Sequence, residues 1–306
     1  MAGSERRDDF RAHLESTRAQ LEETNARIEA RAGRNLVFAI GTGLLFGAVF
    51  LASLFFLKEL FVVLVAALVA VALVELAAAF RTAGRRVPRV GVVLGGLLVV
   101  GGAYFFGAEG MLLGLFAGSA LLILWRVLEG VLPGGIVPRR TLVRDVFSGL
   151  FTLVYVAFLA SFTVLLVDGD RGEWWVFSLV AVVVSVDVGA YAAGVTMGRH
   201  KMTPRISPNK TWEGFAGAAV VAMGVGMVTA VFALQQPWWL GLVLGAVVLL
   251  TATGGDLTES LIKRNLRVKD MSSWIPGHGG FLDRLDSLLP SAVGVYGIAL
   301  LAGAVQ

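Results

Sequence analysis

Nine stretches of this chain are apolar for about twenty residues each, the length a helix needs to cross a hydrocarbon core roughly 30 Å thick. They run over 35–57, 60–80, 90–107, 110–128, 146–167, 174–198, 214–234, 238–255 and 287–304. Strands of a membrane barrel would be roughly half as long and would alternate strictly. These runs are apolar all round, so they predict helices. The first two are separated only by Lys58-Glu59, which demands a tight hairpin. Charge is correspondingly sparse: 16% of the 306 residues are charged and 57% are hydrophobic, against about 25% charged in ordinary soluble domains. So few charges cannot cover a soluble sphere, which excludes a soluble globular domain, a disordered chain and a nucleic-acid-binding arm. The 38 glycines lack a period of three, excluding collagen. With no cysteine there is no disulfide, thiolate–zinc site or cysteine nucleophile, and three histidines leave little for a His-rich metal centre. The fold class is an all-α polytopic membrane protein with about nine transmembrane helices.

Orientation follows from lysine and arginine. With the N-terminus inside, the inner segments are 1–34, 81–89, 126–145, 199–213 and 256–286, and they hold 24 of the 26 basic residues. Lys58 and Arg171 are the two outside. The reading is therefore a multi-pass protein of the cell inner (cytoplasmic) membrane, N-terminus cytoplasmic and C-terminus outside. The net charge of +4 needs no nucleic acid, because basic loops face anionic headgroups. Residues 1–34 form a charged cytoplasmic arm with seven basic and seven acidic residues. Leu14, Leu21 and Ile28 make it weakly amphipathic, and charge fills the tract where a signal peptide would be apolar. Residues 35–306 are the membrane domain, and the polar motifs read below fall in about 185–290.

Several polar residues stand out against this background. Glu75, near the end of the second stretch, is expected near the cytoplasmic interface, in an interfacial or helix-pairing role, with a role in a site as the alternative. Asp187 lies near the middle of the sixth stretch beside small residues at 190, 194 and 198, a stripe that lets another helix approach closely. In the loop 198–214, Pro204 and Pro208 forbid a continuous helix and Ser207-Pro208-Asn209 reads as a turn. Thr211 is a candidate N-cap with Glu213 in the first turn, which sets Lys210 beside a helix N-terminus, a place suited to phosphate.

The densest polar segment is 254–287. A helix there puts Asp256, Ser260, Lys263 and Arg267 on one face. Pro276-Gly277-His278-Gly279-Gly280 reads as a tight turn whose glycines let backbone N–H groups approach an anion. Asp283 and Asp286 share a face at the start of the last stretch. Glu259 lies off the Asp256 stripe and Asp270 adjoins Lys269, so both are expected outside a metal site. Carboxylates without cysteine point to a hard, oxygen-liking ion, Mg²⁺ rather than Zn²⁺. Phosphate, acidic metal ligands and basic clamps together indicate phosphoryl or nucleotidyl transfer.

Three ordered blocks carry a family resemblance. Ser260-Leu261-Ile262-Lys263-Arg264, Lys269-Asp270, His278-Gly279-Gly280 and Asp283-Arg284-Leu285-Asp286 make the first. Asp187 with Ala190, Tyr191, Gly194 and Gly198 makes the second, and Ser207-Pro208-Asn209-Lys210-Thr211 with Glu213-Gly214 the third. Together they resemble phosphatidate cytidylyltransferases (CDP-diacylglycerol synthases); Val188 and the charged arm depart from the pattern. The resemblance implies an enzyme that makes CDP-diacylglycerol and pyrophosphate from CTP and phosphatidate at the cytoplasmic interface. It implies Mg²⁺ on Asp256 and Asp283, with a second cation at the same centre. Asp256, Asp283, Lys263 and Lys210 are the expected catalytic residues. Lys210, Lys263, Arg264 and Arg284 are expected to hold phosphate oxygens, with donors from Ser207, Thr211 and the 277–280 backbone, including Gly279 and Gly280. His278 is expected as a phosphate ligand, and Ser260, Asp286 and Asp187 complete the substrate-binding set. The expected partners are CTP, phosphatidate and membrane lipid, with a homodimer and no nucleic acid. The rival readings are a cytidylyltransferase for another lipid phosphate and a non-enzymatic lipid transporter; the latter predicts internal repeats, whereas the polar motifs cluster late in the chain.

Overall fold

The computed structural model describes residues 36–131, 138–268, 271–272 and 280–305. The 1–34 arm, Asp270, His278 and Gly279 lie outside the described residues. The described residues are helical almost throughout: α1 (Leu36–Phe56), α2 (Lys58–Thr82), α3 (Arg89–Val131) and α4 (Arg139–Thr152) come first. A π-helical turn (Leu153–Phe158) joins α4 to α5 (Leu159–Asp168), and α6 (Gly172–Met197) follows. Strands β1 (Lys201–Thr203) and β2 (Ser207–Thr211) lead into α7 (Trp212–Val228) and α8 (Trp238–Leu266). The chain ends with α9 (Leu282–Leu285) and α10 (Leu288–Leu301). By length and composition, 7 helical segments can cross a membrane, and Gly43–Phe56 is a shorter apolar helix. The protein is thus an all-α polytopic membrane protein, with a two-stranded ribbon the sequence pattern did not announce.

The expected break between the first two stretches is Leu57, whose extended backbone (φ −148°, ψ 104°) separates α1 from α2. Helix α3 covers two of the expected stretches. Its 43 residues would extend about 65 Å at 1.5 Å per residue, roughly twice the hydrocarbon thickness. Gly107 resolves this with φ 64° and ψ −149°, a conformation open to glycine. The two arms fold back on each other: Gly102 meets Gly110, Gly114 meets Leu98, and a Cβ on Gly118 would stand 2.7 Å from the Gly95 carbonyl. Only small residues permit so close an approach.

Two other boundaries differ from the hydropathy reading. The helix of the fifth expected stretch begins at Arg139 and not near 146, because Arg126 and Asp145 form a buried ion pair at 2.7 Å that carries the polar start of α4 into the protein. Helix α8 runs on to Leu266, past the apolar stretch, because its polar last turns are used by the site described below.

Contacts between loops sort them into two ends. At one, Lys58 pairs with Asp168, the Asp170 N–H donates to Ala304 O (2.8 Å) and Arg171 donates to Ala233 O (3.0 Å). At the other, Arg85 reaches Ser148 (3.2 Å), Arg144 reaches Gly84 O (2.6 Å) and Arg264 reaches Ile206 O (2.5 Å). Helices α6 and α7 pack closely along the expected small-residue stripe. A Cβ on Gly214 would stand 2.9 Å from Ala190 O, and one on Gly198 3.0 Å from Thr211 Oγ1.

Candidate active site

The ribbon sets the first part of the site. Strand β1 pairs antiparallel with β2, and the reversal falls at 204–206. The expected turn at Ser207-Pro208-Asn209 is therefore corrected: these residues are strand, and Pro204 opens the turn. Proline is tolerated at 208 because a two-stranded ribbon is all edge. Thr211 caps α7 as expected, its Oγ1 accepting the Gly214 N–H at 3.1 Å. Glu213 folds back to accept the N–H groups of Arg199 (3.0 Å) and His200 (3.1 Å). Ser207 gives its carbonyl to Thr203 Oγ1 at 3.5 Å.

From this anchored ribbon Lys210 reaches α8, where its Nζ lies 2.6 Å from Asp256 Oδ2. Ser260, one turn on, donates to Asp256 Oδ1 at 3.4 Å. Lys263 then bridges two carboxylates at 3.1 Å each, Glu259 on its own helix and Asp283 on α9. Arg267, expected on the same stripe, is off the helix: it adopts a left-handed conformation (φ 58°) just past Leu266.

Glu259 requires the larger correction. Expected outside the site, it is 0% exposed and interacts with Asp283, Asp286 and Lys263. Its Oε1 is buried without a hydrogen-bond partner among the described residues. Asp286 is also buried, its Oδ1 accepting the Ser287 N–H at 2.6 Å, and it interacts with Asp256. Asp187 is exposed on α6 and lies within electrostatic reach of Asp286, Asp256, Lys210 and Arg284. The structure thus brings Asp187, Lys210, Asp256, Ser260, Lys263, Asp283, Arg284 and Asp286 into one neighbourhood. Arg264 is used at least partly elsewhere, its Nε holding the ribbon turn through Ile206 O.

Gly280 differs from expectation as well. Its N–H donates to Asp283 Oδ2 (2.8 Å), alongside the Met271 N–H (3.2 Å), so this donor goes to a carboxylate and not to a bound anion. Ser272, Phe281 and Leu282 are held from the other half of the chain by Glu75, 1% exposed on α2. Its Oε1 accepts from Ser272 Oγ (2.5 Å) and the Phe281 N–H (3.0 Å), and its Oε2 from the Leu282 N–H (2.8 Å). Of the two expectations for Glu75, an interfacial or helix-pairing role and a role in a site, the hydrogen bonds favour the second. Its role is to cap α9, and with it the start of the Asp283–Asp286 block.

The donor set suits a hard divalent cation: oxygen ligands only, an excess of carboxylates and one buried carboxylate oxygen without a partner. Among the described residues no group of three or more His, Asp or Glu forms a ready metal cage. Mg²⁺ does not need one, since it keeps several waters and is held by one or two carboxylates plus substrate phosphates. Asp256 and Asp283, on facing segments and each neutralised by a lysine, can provide those carboxylates.

Fold and site together define a polytopic membrane protein with a carboxylate–lysine centre of the kind that handles phosphates. A profile of the cytidylyltransferase family matches residues 38–301. The phosphatidate cytidylyltransferase of Mycobacterium bovis is 39% identical over 272 residues, covering 87% of this chain and 89% of that protein. That of Mycobacterium leprae is 41% identical over 273 residues, covering 86% and 87%. The Brucella suis phosphatidate cytidylyltransferase is 39% identical over a shorter stretch of 150 residues, 49% of this chain and 54% of that protein. The chain belongs to the cytidylyltransferase family.

Proposed function

We propose that the protein transfers CMP from CTP to phosphatidate, giving CDP-diacylglycerol and pyrophosphate. The observation that carries this reading is the convergence of Lys210 on Asp256 and of Lys263 on Glu259 and Asp283, from three separate segments of a family member. In the reaction a phosphatidate phosphate oxygen forms a bond to the α-phosphorus of CTP, and the bond from that phosphorus to the β-phosphate oxygen breaks. Two anions must be brought together, so binding and charge neutralisation dominate the chemistry. Lys210, Lys263, Arg264 and Arg284 bind phosphate oxygens. A phosphate monoester is largely ionised near neutral pH, so no residue need act as a general base. Asp256 and Asp283 would hold Mg²⁺, which, with the second cation the family resemblance implies, would supply neutralisation of the triphosphate.

Nine crossings follow if Leu36–Phe56 spans and the Gly107 fold counts α3 twice. The two ends defined by the loop contacts agree with the alternation of basic and neutral loops, which supports a cytoplasmic N-terminus and an outer C-terminus in the inner membrane. A homodimer is part of the same reading; light scattering in detergent measures it.

The decisive experiment incubates purified protein with cytidine-labelled CTP, phosphatidate and Mg²⁺. Label should enter the organic phase as a CDP-lipid while pyrophosphate appears in water. Absence of both products with active lipid and nucleotide overturns the reading.

A further inference from the structure

Glu259 is a carboxylate too deeply buried to touch a substrate itself. Its side chain is 1% exposed, against 20% for Lys263 and 10% for Asp283. Oε2 lies 3.1 Å from Lys263 Nζ, and Oε1 is buried without a hydrogen-bond partner among the described residues. A buried carboxylate with one oxygen unpaired is destabilising, and the ion pair with Lys263 is what offsets it.

Lys263 in turn stands between two carboxylates that differ in kind. Its Nζ is 3.1 Å from Glu259 Oε2 and 3.1 Å from Asp283 Oδ1. Asp283 Oδ2 already accepts the N–H groups of Gly280 (2.8 Å) and Met271 (3.2 Å). Oδ1 is therefore the oxygen Asp283 can offer a cation, and in the empty protein Lys263 occupies it. Like charges repel across a shared oxygen, so Asp283 must give up the ammonium in order to serve a cation. A lysine has a flexible four-carbon stem, and without a second anchor its head would then swing away. Glu259, one turn earlier on the same helix, is that anchor.

We propose that Glu259 is a positioning residue: it retains Lys263 when Asp283 turns from the ammonium to a cation. The N–H that Lys263 withdraws from Asp283 is then free to meet a phosphate oxygen of CTP or phosphatidate. This rests on the transferase reading above and on Asp283 as a cation ligand. It makes a distinctive demand: Glu259 should matter only while Lys263 is present.

The test is a double-variant cycle on the protein in detergent: wild type, Glu259→Gln, Lys263→Met and both together. Mn²⁺ affinity is read by spin resonance without turnover, and thermal unfolding is followed on the empty protein. In parallel, kcat/KM is measured with CTP varied and with phosphatidate varied. Glu259→Gln keeps an acceptor for Lys263 but leaves Asp283 as its remaining carboxylate. Mn²⁺ should bind about tenfold more weakly, the scale of coupling between residues in contact. The kcat/KM should also fall about tenfold, the size of a lost hydrogen bond between charged groups. The substrate whose kcat/KM falls further is the one Lys263 holds. The empty variant should unfold near the wild-type temperature, because relief of a buried charge offsets loss of the pair. Glu259→Asp keeps the charge one methylene back and should retain more of both readings than Glu259→Gln. Lys263→Met frees Asp283 Oδ1. It and the double variant should bind Mn²⁺ at least as well as wild type, within about twofold of each other. Weaker binding by the double variant than by wild type overturns the proposal, since Glu259 would then act on the cation directly. Wild-type Mn²⁺ affinity and kcat/KM in Glu259→Gln, or a lower unfolding temperature for it when empty, overturn it as well. Wild type without CDP-lipid product overturns the transferase reading instead, while the Mn²⁺ cycle still reports on Glu259.

Discussion

Glu75 Oε2 accepts the backbone N–H of Leu282 at 2.8 Å, joining residues 207 apart in sequence. With Phe281 and Ser272 on Oε1, one carboxylate on α2 fixes the start of α9, which presents Asp283 to Lys263. Glu75→Ala strands two N–H groups that the carboxylate now satisfies, each worth about 1–3 kcal/mol when buried unpaired. We expect turnover to fall at least tenfold and amide exchange at 281–282 to accelerate. Glu75→Gln keeps a carbonyl acceptor and should lose less of both. Hydrogen exchange read by mass spectrometry, beside activity, checks the pair; unchanged exchange in Glu75→Ala would show that the cap is dispensable.

Gly280 has a steric reason to be glycine. A Cβ there would stand 2.9 Å from Glu75 Oε2 and 3.1 Å from its Cδ. The carboxylate cannot swing aside without breaking its hydrogen bonds. Gly280→Ala should therefore reduce kcat about tenfold or more, and pairing it with Glu75→Asp, one methylene shorter, should restore part of the loss. Activity of the single and double variants is the measurement; additive losses would mean the two positions do not touch.

How much of this was legible beforehand depended on sequence distance. Apolar runs of about twenty residues announce helices because the bilayer imposes that length, and the breaks at Leu57 and Gly107 follow from it. Thr211, Lys210, Asp256 and Lys263 were readable as local motifs near helix ends. Glu75 was visible as an anomaly, but its partners are far away in the chain and no local pattern points to them. Glu259 was misjudged because stripe geometry counts only one helix face, whereas Asp283 and Asp286 approach from another segment.

Position 205 tests the topology. Arg205 is exposed in the ribbon turn, on the end shared with Arg85, Arg144 and Arg264. The chain contains no cysteine, so Arg205→Cys introduces a single label. An impermeant thiol reagent should leave it unmodified in intact cells and label it after permeabilisation. Labelling in intact cells would reverse the orientation.

Lys210 is fixed by the ribbon and the Thr211 cap, and its Nζ neutralises Asp256 at 2.6 Å. Lys210→Ala removes the ion pair and a candidate phosphate ligand without touching the cap. CTP or phosphatidate use should weaken by at least an order of magnitude, about 1.4 kcal/mol, with the unfolding temperature close to wild type. Wild-type kinetics would reduce this lysine to a topology signal.

The two candidate metal ligands should fail differently, because they are built in differently. Asp256 is engaged by side chains alone, Lys210 and Ser260. Asp283 also accepts two backbone N–H groups, from Gly280 and Met271, and so holds the backbone at 271 and 280 as well as Lys263. Asparagine preserves shape and removes the charge. Asp256→Asn should therefore abolish turnover while leaving thermal unfolding near wild type. Asp283→Asn should abolish turnover and also lower the unfolding temperature by several degrees, since its amide nitrogen cannot accept what the carboxylate accepted. Cation binding is read without turnover by titrating Mn²⁺ and following its free spin-resonance signal, and both variants should bind more weakly than wild type. Excess Mg²⁺ should rescue part of the Asp256→Asn loss, because a weakened site fills at higher concentration, and should do nothing for Lys210→Ala. Glu109→Gln, exposed at the α3 hairpin, serves as the control and should match wild type throughout. If Asp256→Asn and Asp283→Asn bind Mn²⁺ as wild type does, the cation belongs to other carboxylates, and buried Glu259 with its unpartnered oxygen becomes the first to examine.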